Sequence, residues 1–325
     1  MSGLLTCLLL AGAARAEPLS APAHTQHDLQ FQNGLVTLAG SLWMPEGAGP
    51  FPGVVIVHGS GRSDRSNPWT SAWAGGLVER GIAVLYPDKR GSGNSGGDWR
   101  TSSFEQIADD GIAALELLRQ QPGVDSSKVG VIGFSQGGQI VPLMASRSAS
   151  VGFVIDVSGA VLPLVEQVGD EVRLMAQRQG LDQSGQALAQ HLHELAARYA
   201  LGGTGWEEYA SLLEQARAGP WGHTDCILGF PSDQDSEAWT FLRSVGDFDP
   251  LPWWCQLQLP AAFIFGGKDE NVDVYKNVAR IQSKLMDCGL DFELLLFGDN
   301  GHTLYREDAL AFLARWIHDL PPRNP

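Results

Sequence analysis

The sequence predicts an α/β fold in which helices cover both faces of a mostly parallel sheet. Continuous apolar runs of strand length, such as 53–58, 82–86 and 129–133, alternate with segments of helical spacing. Apolar runs without polar alternation are typical of strands buried on both faces of a parallel sheet. The alternation stops over residues 161–250 and then resumes, which predicts a helical insertion into a sheet-containing core.

The chain begins this pattern with a predicted β-hairpin. Residues 28–31 and 35–38 alternate between apolar and polar side chains around Asn33-Gly34, a dipeptide that favours hairpin turns. Residues 40–45 continue the second strand. The other elements predicted before the insertion are the helices 69–80, 104–120 and 136–146 and a strand at 151–156.

Helical patterning dominates the insertion. Residues 162–199 and 207–218 lack the β-branched runs of strands, and the prolines in 219–250 predict an irregular segment there. The elements predicted after the insertion are a strand at 261–265, a helix at 274–288, a strand at 292–297 and a helix at 309–319. The predicted organisation is therefore a core made of residues 28–160 and 251–325 and an insertion made of residues 161–250.

The composition excludes one large class of partner. The chain has 22 basic and 37 acidic side chains and a formal net charge of −15. An acidic surface repels phosphate backbones, so we do not expect a nucleic acid partner. Apolar residues make up 44% and charged residues 18% of the sequence, which indicates a folded protein with a sizeable core.

The first residues have the pattern of an export signal. Residues 4–14 form an apolar run too short to span a bilayer, and Ala14-Arg15-Ala16 is a site of the kind that signal peptidase cleaves. We expect residues 1–16 to be a signal peptide and the protein to be periplasmic or secreted. Since no Lys or Arg precedes the apolar run, an N-terminal helix or a misassigned start is the alternative. No later segment has the pattern of a transmembrane helix.

The four cysteines are Cys7, Cys226, Cys255 and Cys288. Cys226 and Cys255 are close enough in sequence to form a disulfide in an oxidising compartment, and two separate buried thiols are the alternative. The cysteine spacings match no zinc site.

A nucleophile motif follows one of the predicted buried strands. Residues 133–137 read Gly-Phe-Ser-Gln-Gly and fit the pattern G-x-S-x-G. Between a strand and a helix, this pattern forms a sharp turn that presents the serine hydroxyl at the carboxyl edge of the sheet. The start of the following helix adds partial positive charge near that hydroxyl. We therefore identify Ser135 as a candidate nucleophile; a serine that only caps a helix is the alternative.

A serine needs a base held by an acid, and in this arrangement the acid and the histidine follow the serine along the chain. His302 lies in a loop between a predicted strand and the last helix, where it can reach Ser135. Asp269 directly follows a predicted strand and two glycines, and Glu270 and Asp273 are its rivals. We do not expect four other histidines to act as the base. They are His191 and His193, which are expected to be solvated in a polar helix, His223 in the insertion and His318 in the last helix.

An oxyanion hole requires two backbone N–H groups that point at the developing negative charge. One is expected from Gln136, the residue after the nucleophile. The other is expected from Ser60 in the loop that follows an earlier strand, with Gly59 and Gly61 as alternatives. His58 precedes the serine and follows the wrong strand to be the base, so we expect it to anchor this loop by a hydrogen bond.

Together these motifs resemble the α/β-hydrolase superfamily, in the order that the superfamily shows. The motifs that carry the resemblance are His58 to Gly61 with Asp64 and Arg65, Asp88 to Ser95, Gly133 to Gly137, Gly266 to Asp269, and Gly301 with His302. The resemblance covers residues 28–160 and 250–325. Within the superfamily the chain looks most similar to capped bacterial esterases related to the dienelactone-hydrolase and proline-iminopeptidase groups.

The resemblance implies a triad of Ser135, Asp269 and His302 and no cofactor or metal. It also implies that Asp64, Arg65, Asp88 and Arg90 brace loops beneath the site, since buried charges are rarely left unpaired. The insertion then resembles a cap. Its tryptophans line an apolar acyl pocket or form the core of the cap, and they are Trp206, Trp221, Trp239, Trp253 and Trp254.

The reaction expected from this site is hydrolysis of a small-molecule carboxylic ester with a short to medium acyl chain. A serine aminopeptidase or dipeptidase is the first alternative and requires an acidic pocket for the substrate amine. The cap residues that could supply that pocket are Glu166, Asp170, Glu171 and Glu207. An acyl thioesterase is the next alternative. A non-catalytic ligand-binding member is disfavoured because Ser135, Asp269 and His302 are all present in the superfamily's order.

Overall fold

The computed structural model describes residues 24–323, so the predicted signal peptide, residues 1–16, and Cys7 lie outside the described part of the chain. Eight strands form one sheet in the order β1-β2-β4-β3-β5-β6-β7-β8. The strands are β1 His24–Asn33, β2 Val36–Pro45, β3 Phe51–Val57, β4 Ala83–Pro87, β5 Val124–Phe134, β6 Val154–Val157, β7 Ala261–Gly266 and β8 Phe292–Phe297.

The sheet confirms the predicted mostly parallel arrangement. β1 and β2 form the predicted hairpin, in which Asn33 pairs with Val36, and Gly34 has a φ of +57°. β2 is antiparallel to β4, and every pair from β4 onwards in the sheet order is parallel. The carboxyl ends of the parallel strands therefore meet at one edge, where an α/β sheet collects its functional loops.

Helices connect the strands and cover both faces of the sheet. They are α1 Pro68–Val78, α2 Phe104–Arg119, α3 Gln136–Arg147, α4 Leu164–Arg178, α5 Gln183–Gly202, α6 Trp206–Ala218, α7 Asp225–Leu228, α8 Glu237–Val245, α9 Leu251–Trp254, α10 Val274–Arg280 and α11 Glu307–Asp319. Two local signals explain where helices begin. The Asn67 side chain caps α1, and Ser103 forms a capping box with Gln106 at the start of α2.

Two hydrophobic clusters bury the two faces of the sheet. On one face, Trp73 and Leu77 of α1 pack with Leu313 of α11. On the other face, Leu115 of α2 and Ile140 of α3 belong to a second cluster. None of the helices within residues 24–323 is long and apolar enough to cross a membrane.

Residues 164–245, which we call the helical insertion, contain α4 to α8 and a third hydrophobic cluster of their own. The predicted continuous helical segment 162–199 is two helices, because the chain turns at Gly180, with a φ of +76°, and Asp182 caps α5. The segment 219–250, predicted to be irregular, contains the short helices α7 and α8. The helix predicted at 274–288 changes to a π-helical turn at Ile281–Leu285.

The predicted Cys226–Cys255 disulfide is wrong. Cys255, at the end of α9, is bonded to Cys288, with a Cα–Cα distance of 5.2 Å. Cys226 is a buried thiol that belongs to the hydrophobic cluster of the helical insertion. Closeness in sequence is misleading here because α7 and α9 belong to different layers of the fold.

Replacement of Cys288 by Ser should lower the free energy of unfolding by about 3 to 4 kcal/mol, because the bond closes a long loop in the unfolded chain. The separation between the two cysteines is 33 residues. The measurement is urea unfolding, together with a non-reducing peptide map of the wild type. The matched control is Cys226→Ser, which should leave the Cys255–Cys288 peptide pair in the map; a peptide joined through Cys226 would contradict the assignment.

Candidate active site

Ser135 lies in a strained turn between β5 and α3. Its φ of +53° and ψ of −120° are outside the regions that non-glycine residues ordinarily adopt. Its side chain is partly exposed, whereas its neighbours in the turn are buried. The Ser135 N–H donates to the Val157 carbonyl at 2.9 Å, which ties the turn to the end of β6. The structure thus presents the hydroxyl at the carboxyl edge of the sheet.

The glycines of the motif are required by close packing. A methyl group at Gly137 would overlap the carbonyl oxygen of Val57, and one at Gly133 would overlap the backbone of Gly137. Any side chain at either position would push α3 away from β3 and β5. The turn can form only because backbone packs directly on backbone.

His302 and Asp269 form a buried hydrogen-bonded pair. The His302 Nδ1–H donates to the Asp269 carboxylate, with N–O distances of 3.0 and 2.9 Å to its two oxygens. Asp269 Oδ1 also accepts the N–H groups of Asn271 and Val272, both at 2.8 Å. With Nδ1 occupied by the carboxylate, the His302 Nε2 atom remains available to accept a proton.

The two rival carboxylates have other partners. Glu270 accepts the His302 backbone N–H at 3.1 Å. Asp273 caps α10 and pairs with Arg173 at 2.5 Å. Both therefore hold the segment around the pair, and neither of them binds the imidazole.

The loop of His302 is attached to the turn of Ser135 by contacts that the sequence did not suggest. Ser158, a second non-glycine residue with a positive φ of +56°, donates its hydroxyl to the His302 carbonyl at 2.8 Å. Ser158 directly follows Val157, the residue that holds Ser135. The Trp69 ring packs on His302 with a centroid distance of 5.5 Å and on Phe134 with one of 5.2 Å. These contacts join the loop of His302 to the turn of Ser135.

The predicted oxyanion donors flank Ser135. A Cβ atom at Gly59 would lie 3.2 Å from the Ser135 Cβ, so the loop after β3 passes close to the nucleophile. Gln136 opens α3, where the first N–H groups of a helix have no partner within it. Among residues 24–323, neither the Ser60 nor the Gln136 N–H donates to a protein acceptor.

His58 anchors the loop after β3, as predicted. Its Nε2–H donates to the Pro87 carbonyl at 2.8 Å, and its Nδ1 accepts the Ser63 hydroxyl at 2.9 Å. Burial lowers the pKa of His58 to about 4, so the ring stays neutral near pH 7. The neutral form matches this donor and acceptor pattern.

The predicted bracing by charged residues is confirmed for three of the four positions. Arg65 pairs with Asp88 at 2.9 Å, and Arg90 pairs with Asp110 at 2.6 Å. Asp64 instead accepts the N–H and hydroxyl of Ser66. Lys89, between Asp88 and Arg90 in the sequence, is buried and has no carboxylate partner among the described residues; it donates to the Gly59 carbonyl at 2.9 Å.

A cavity of about 320 Å³ lies inside the helical insertion. Its walls come from α4, α5, α7 and α8 and are apolar except for Glu171, His193, Asp225 and Cys226. His193 was expected to be solvated, and that expectation is wrong. It is buried between α4 and α5, where its Nε2–H donates to the Val165 carbonyl at 2.9 Å.

The tryptophans of the predicted cap serve mainly as core. Trp206 and Trp239 pack with Tyr199 and Tyr209 in one aromatic cluster. Trp253 and Trp254 lie in α9, beyond residue 250, and are not part of the cap; Trp254 packs against Phe263 with a centroid distance of 4.7 Å. Among the five tryptophans, Trp239 is the one that lines the cavity.

Helix α4 connects the cavity with the loop that carries Asp269. Gln167 donates to the Asn271 carbonyl at 2.8 Å, and Arg178 donates to the Glu270 carbonyl at 3.0 Å. Glu171 lies between these two anchors and also lines the cavity. Burial raises the pKa of the Glu171 carboxyl, and the nearby charges of His302 and Asp269 also act on it.

Sequence reasoning assigned no role to Lys89, Ser158 or Trp69, and it named Glu171 only as one of four cap carboxylates that could bind a substrate amine. Each acquires its place from contacts with residues distant in the chain, so no local pattern marks them. Within residues 24–323, no three His, Cys, Asp or Glu side chains are grouped closely enough to hold a metal ion.

Comparisons with known proteins give a matching family and several similar proteins. A family described as X-Pro dipeptidyl-peptidase (S15 family) matches residues 33–227. Esterase EstD from Thermotoga maritima is 27% identical over 272 residues, which cover 82% of this chain and 58% of EstD. The chain thus spans less than two thirds of the length of that relative.

Two solved structures illustrate the likeness in fold. Esterase Pf2001 from Pyrococcus furiosus aligns with a TM-score of 0.59 and 18% identity, over 91% of this chain and 88% of that chain. Est1E from Butyrivibrio proteoclasticus, solved with bound ferulic acid, aligns with a TM-score of 0.56 and 15% identity, over 89% of this chain and 96% of that chain. At these identities the likeness shows the α/β-hydrolase fold.

A buried carboxyl lies behind the turn of Ser135. Asp156 Oδ1 accepts the Gly159 N–H at 2.8 Å, and Oδ2 has no partner among the described residues. Burial raises the pKa of Asp156 to about 8. The carboxyl is therefore neutral in the folded protein at pH 7, although it is ionised in the unfolded chain above about pH 4.

Asp156→Asn should flatten the pH dependence of stability. Between about pH 4 and pH 8 the folded wild type binds one proton more than the unfolded chain, so its stability falls as the pH rises, by up to about 1.4 kcal/mol per pH unit. The variant titrates in neither state, so its free energy of unfolding should rise relative to that of the wild type from pH 5 to pH 8. Calorimetric unfolding at several pH values measures the difference. The exposed control Asp235→Asn should follow the wild type, and a constant offset for Asp156→Asn would contradict the raised pKa.

Proposed function

The chain belongs to the X-Pro dipeptidyl-peptidase (S15) family, and on that premise we propose that it is a serine hydrolase. We propose further that it cleaves carboxylic esters of short to medium acyl chains through an acyl-enzyme on Ser135. The observation that carries the proposal is the buried His302–Asp269 pair, tied through Ser158 and Val157 to a strained and partly exposed serine. The esterase relative EstD supports the choice of esters as substrate.

In the proposed mechanism, the Ser135 hydroxyl attacks the ester carbonyl carbon while His302 Nε2 takes its proton. Asp269 orients the imidazole and stabilises its charged form. The Ser60 and Gln136 N–H groups hold the oxyanion of the tetrahedral intermediate, each contributing roughly 3 kcal/mol. His302 returns the proton to the departing alcohol, and water then releases the acid by the same steps, with His302 again as base.

The cavity of the helical insertion supports the choice of acyl chain. Its volume of about 320 Å³ is at the small end of the usual range for ligand sites. Each methylene buried in such an apolar cavity contributes roughly 0.8 kcal/mol to binding. We propose that residues 161–250 act as a cap and that the acyl chain enters the cavity past Glu171.

A serine aminopeptidase or dipeptidase is a second candidate, favoured by the environment of Glu171. Glu166 and Asp170 are both paired with Lys276, at 2.8 and 2.6 Å. Glu207 is exposed at the start of α6. Glu171 lies near His302 and has no ion pair among residues 24–323, so its carboxylate could receive a substrate ammonium group.

We also propose that the protein works in an oxidising compartment outside the cytoplasm. The Cys255–Cys288 disulfide supports this location, because such bonds persist mainly in secreted and periplasmic proteins.

Ser135→Ala should reduce kcat for p-nitrophenyl butyrate at least about 1,000-fold, since no other group can form the acyl-enzyme. A fluorophosphonate probe should label the wild type at Ser135 and should not label the variant. The measurements are steady-state hydrolysis and mass spectrometry of the labelled peptide.

The matched control is Ser283→Ala, an exposed serine outside the site, which should behave as the wild type. Full ester turnover by Ser135→Ala would contradict the mechanism. Faster turnover of aminoacyl p-nitroanilides than of matched esters by the wild type would favour the peptidase.

Ala197→Phe should shorten the preferred acyl chain. Ala197 lines the cavity from α5, so a benzyl side chain would occupy space that we assign to the distal acyl carbons. The value of kcat/KM for p-nitrophenyl octanoate should fall about 10-fold, while that for the acetate should stay within about twofold.

The control for this experiment is Ala187→Phe, at an exposed position on the same helix. It should keep the acyl-length profile of the wild type. An equal loss on acetate and octanoate in Ala197→Phe would show that the cavity does not receive the acyl chain.

A further inference from the structure

Lys89 is a buried lysine whose ammonium group contacts both sides of the proposed oxyanion hole. Its side chain is 6% exposed. Its Nζ donates to the Gly59 carbonyl at 2.9 Å and to the Gln136 Oε1 at 3.3 Å. The ammonium also lies 5.5 Å from the centre of the Trp99 ring, which gives it one further favourable contact.

One acceptor of Lys89 is in the peptide group that carries the Ser60 N–H, and the other is the side chain of Gln136. The Gly59 carbonyl and the Ser60 N–H are parts of one peptide group. Donation to that carbonyl polarises the peptide and strengthens its N–H as a donor, because hydrogen bonds in series reinforce one another. Gln136 supplies the other N–H, and its side chain is held by the same ammonium. A single cation thereby contacts the residues on both sides of the proposed oxyanion hole.

The positive charge of Lys89 is not cancelled by a neighbour. Arg65 and Arg90, from the same group of loops, each pair with a carboxylate, whereas no carboxylate of residues 24–323 pairs with Lys89. A buried ammonium without a counterion costs stability, which argues against a purely structural role. The same burial lowers the pKa of Lys89 to about 7.

We propose that Lys89 is a positioning residue of the oxyanion hole, which orients the Ser60 and Gln136 N–H groups and adds positive potential where the oxyanion forms. The proposal rests on the serine hydrolase function proposed above. Lys89 keeps its proton throughout the reaction, so no bond to it forms or breaks. Its contribution is greatest in the transition state, because the carbonyl oxygen carries little charge in the bound substrate.

The other charged groups on the elements around Lys89 have partners or are neutral. In the loop after β3, His58 is neutral and Arg65 is paired; beyond β4, Arg90 is paired. The remaining groups are Asp88 bonded to Arg65, Asp64 bonded to Ser66, Arg62 near Asp64, and Asp98 bonded to Arg100 beside Trp99. The first two turns of α3 carry no titratable side chain. Behind the Ser135 turn, burial raises the pKa of Asp156 to about 8, so a decline above neutral pH is assigned to Lys89 only where Lys89→Met removes it.

The pH profile of the wild type is the first test. The ammonium is present below about pH 7 and is lost above it. The value of kcat for p-nitrophenyl butyrate should therefore fall on the alkaline side. An alkaline plateau up to pH 10 would overturn the proposal, and this test requires no variant to fold.

The variants Lys89→Met and Lys89→Arg distinguish the effect of the positive charge on kcat from the effect of the side chain's shape. Lys89→Met should lower kcat about 10- to 100-fold with little change in KM and should show no alkaline decline. Lys89→Arg keeps a charge at every pH, so it should retain more activity than Lys89→Met and also lack the decline. Affinity for a trifluoromethyl ketone, which forms a tetrahedral adduct with Ser135, should fall in Lys89→Met by the same factor as kcat.

Lys128→Met is the matched control, because Lys128 also donates to a main-chain carbonyl, that of His318, but far from Ser135. It should leave kcat, the pH profile and inhibitor affinity unchanged.

Thermal unfolding of Lys89→Met should give a melting temperature at least equal to that of the wild type, because the variant lacks the buried charge. The proposal would be overturned if kcat were unchanged in Lys89→Met. It would also be overturned if the loss of kcat came with a lower melting temperature while the affinity for the inhibitor was retained. A wild type that neither hydrolyses esters nor reacts with a fluorophosphonate would instead contradict the proposed function itself.

Discussion

The close packing of the Ser135 turn against strand β3 is the constraint on which the rest of the site depends. Because Gly137 lies directly on the Val57 carbonyl, α3 begins at the sheet surface and Ser135 must take a positive φ. That conformation costs free energy, which the surrounding sheet and helices offset. The same close approach brings the loop of Gly59 beside the nucleophile, so one packing contact sets both the hydroxyl and the proposed oxyanion hole.

Electrostatic pairing organises the loops around this turn. Arg65 and Arg90 are neutralised by carboxylates, and the Asp269 carboxylate is satisfied by His302 and two backbone N–H groups. Among residues 24–323 around this turn, Lys89, Glu171 and Asp156 have no charged partner. Unpaired ionisable groups are costly in a folded core, so their position next to the site is better explained by chemistry than by stability.

The fold could be predicted from local sequence patterns because each strand, turn or helix signal depends on residues that are close together in the chain. Buried parallel strands need continuous apolar runs, and these runs predicted β3 to β8, although β5 begins earlier and β6 is shorter than expected. The alternation around Asn33-Gly34 predicted the hairpin of β1 and β2. The insertion was harder to predict, since its helices pack on one another and their ends depend on turns such as that at Gly180. The spacing of the cysteines carried no information about distances between layers, so the predicted disulfide joined the wrong pair.

The sequence by itself determined the order of the elements and the candidates Ser135, Asp269 and His302, because strand, turn and helix signals are local and the motifs lie at their boundaries. Only the tertiary structure decided which carboxylate binds His302, which cysteines pair, and that Lys89 is buried against two loops. The physical reason is that burial and hydrogen bonding are properties of the folded surroundings. The sequence Asp88-Lys89-Arg90 by itself is typical of an exposed loop. Lys89 is buried only because the segments that carry Gly59, Trp99 and Gln136 pack around it in the folded chain.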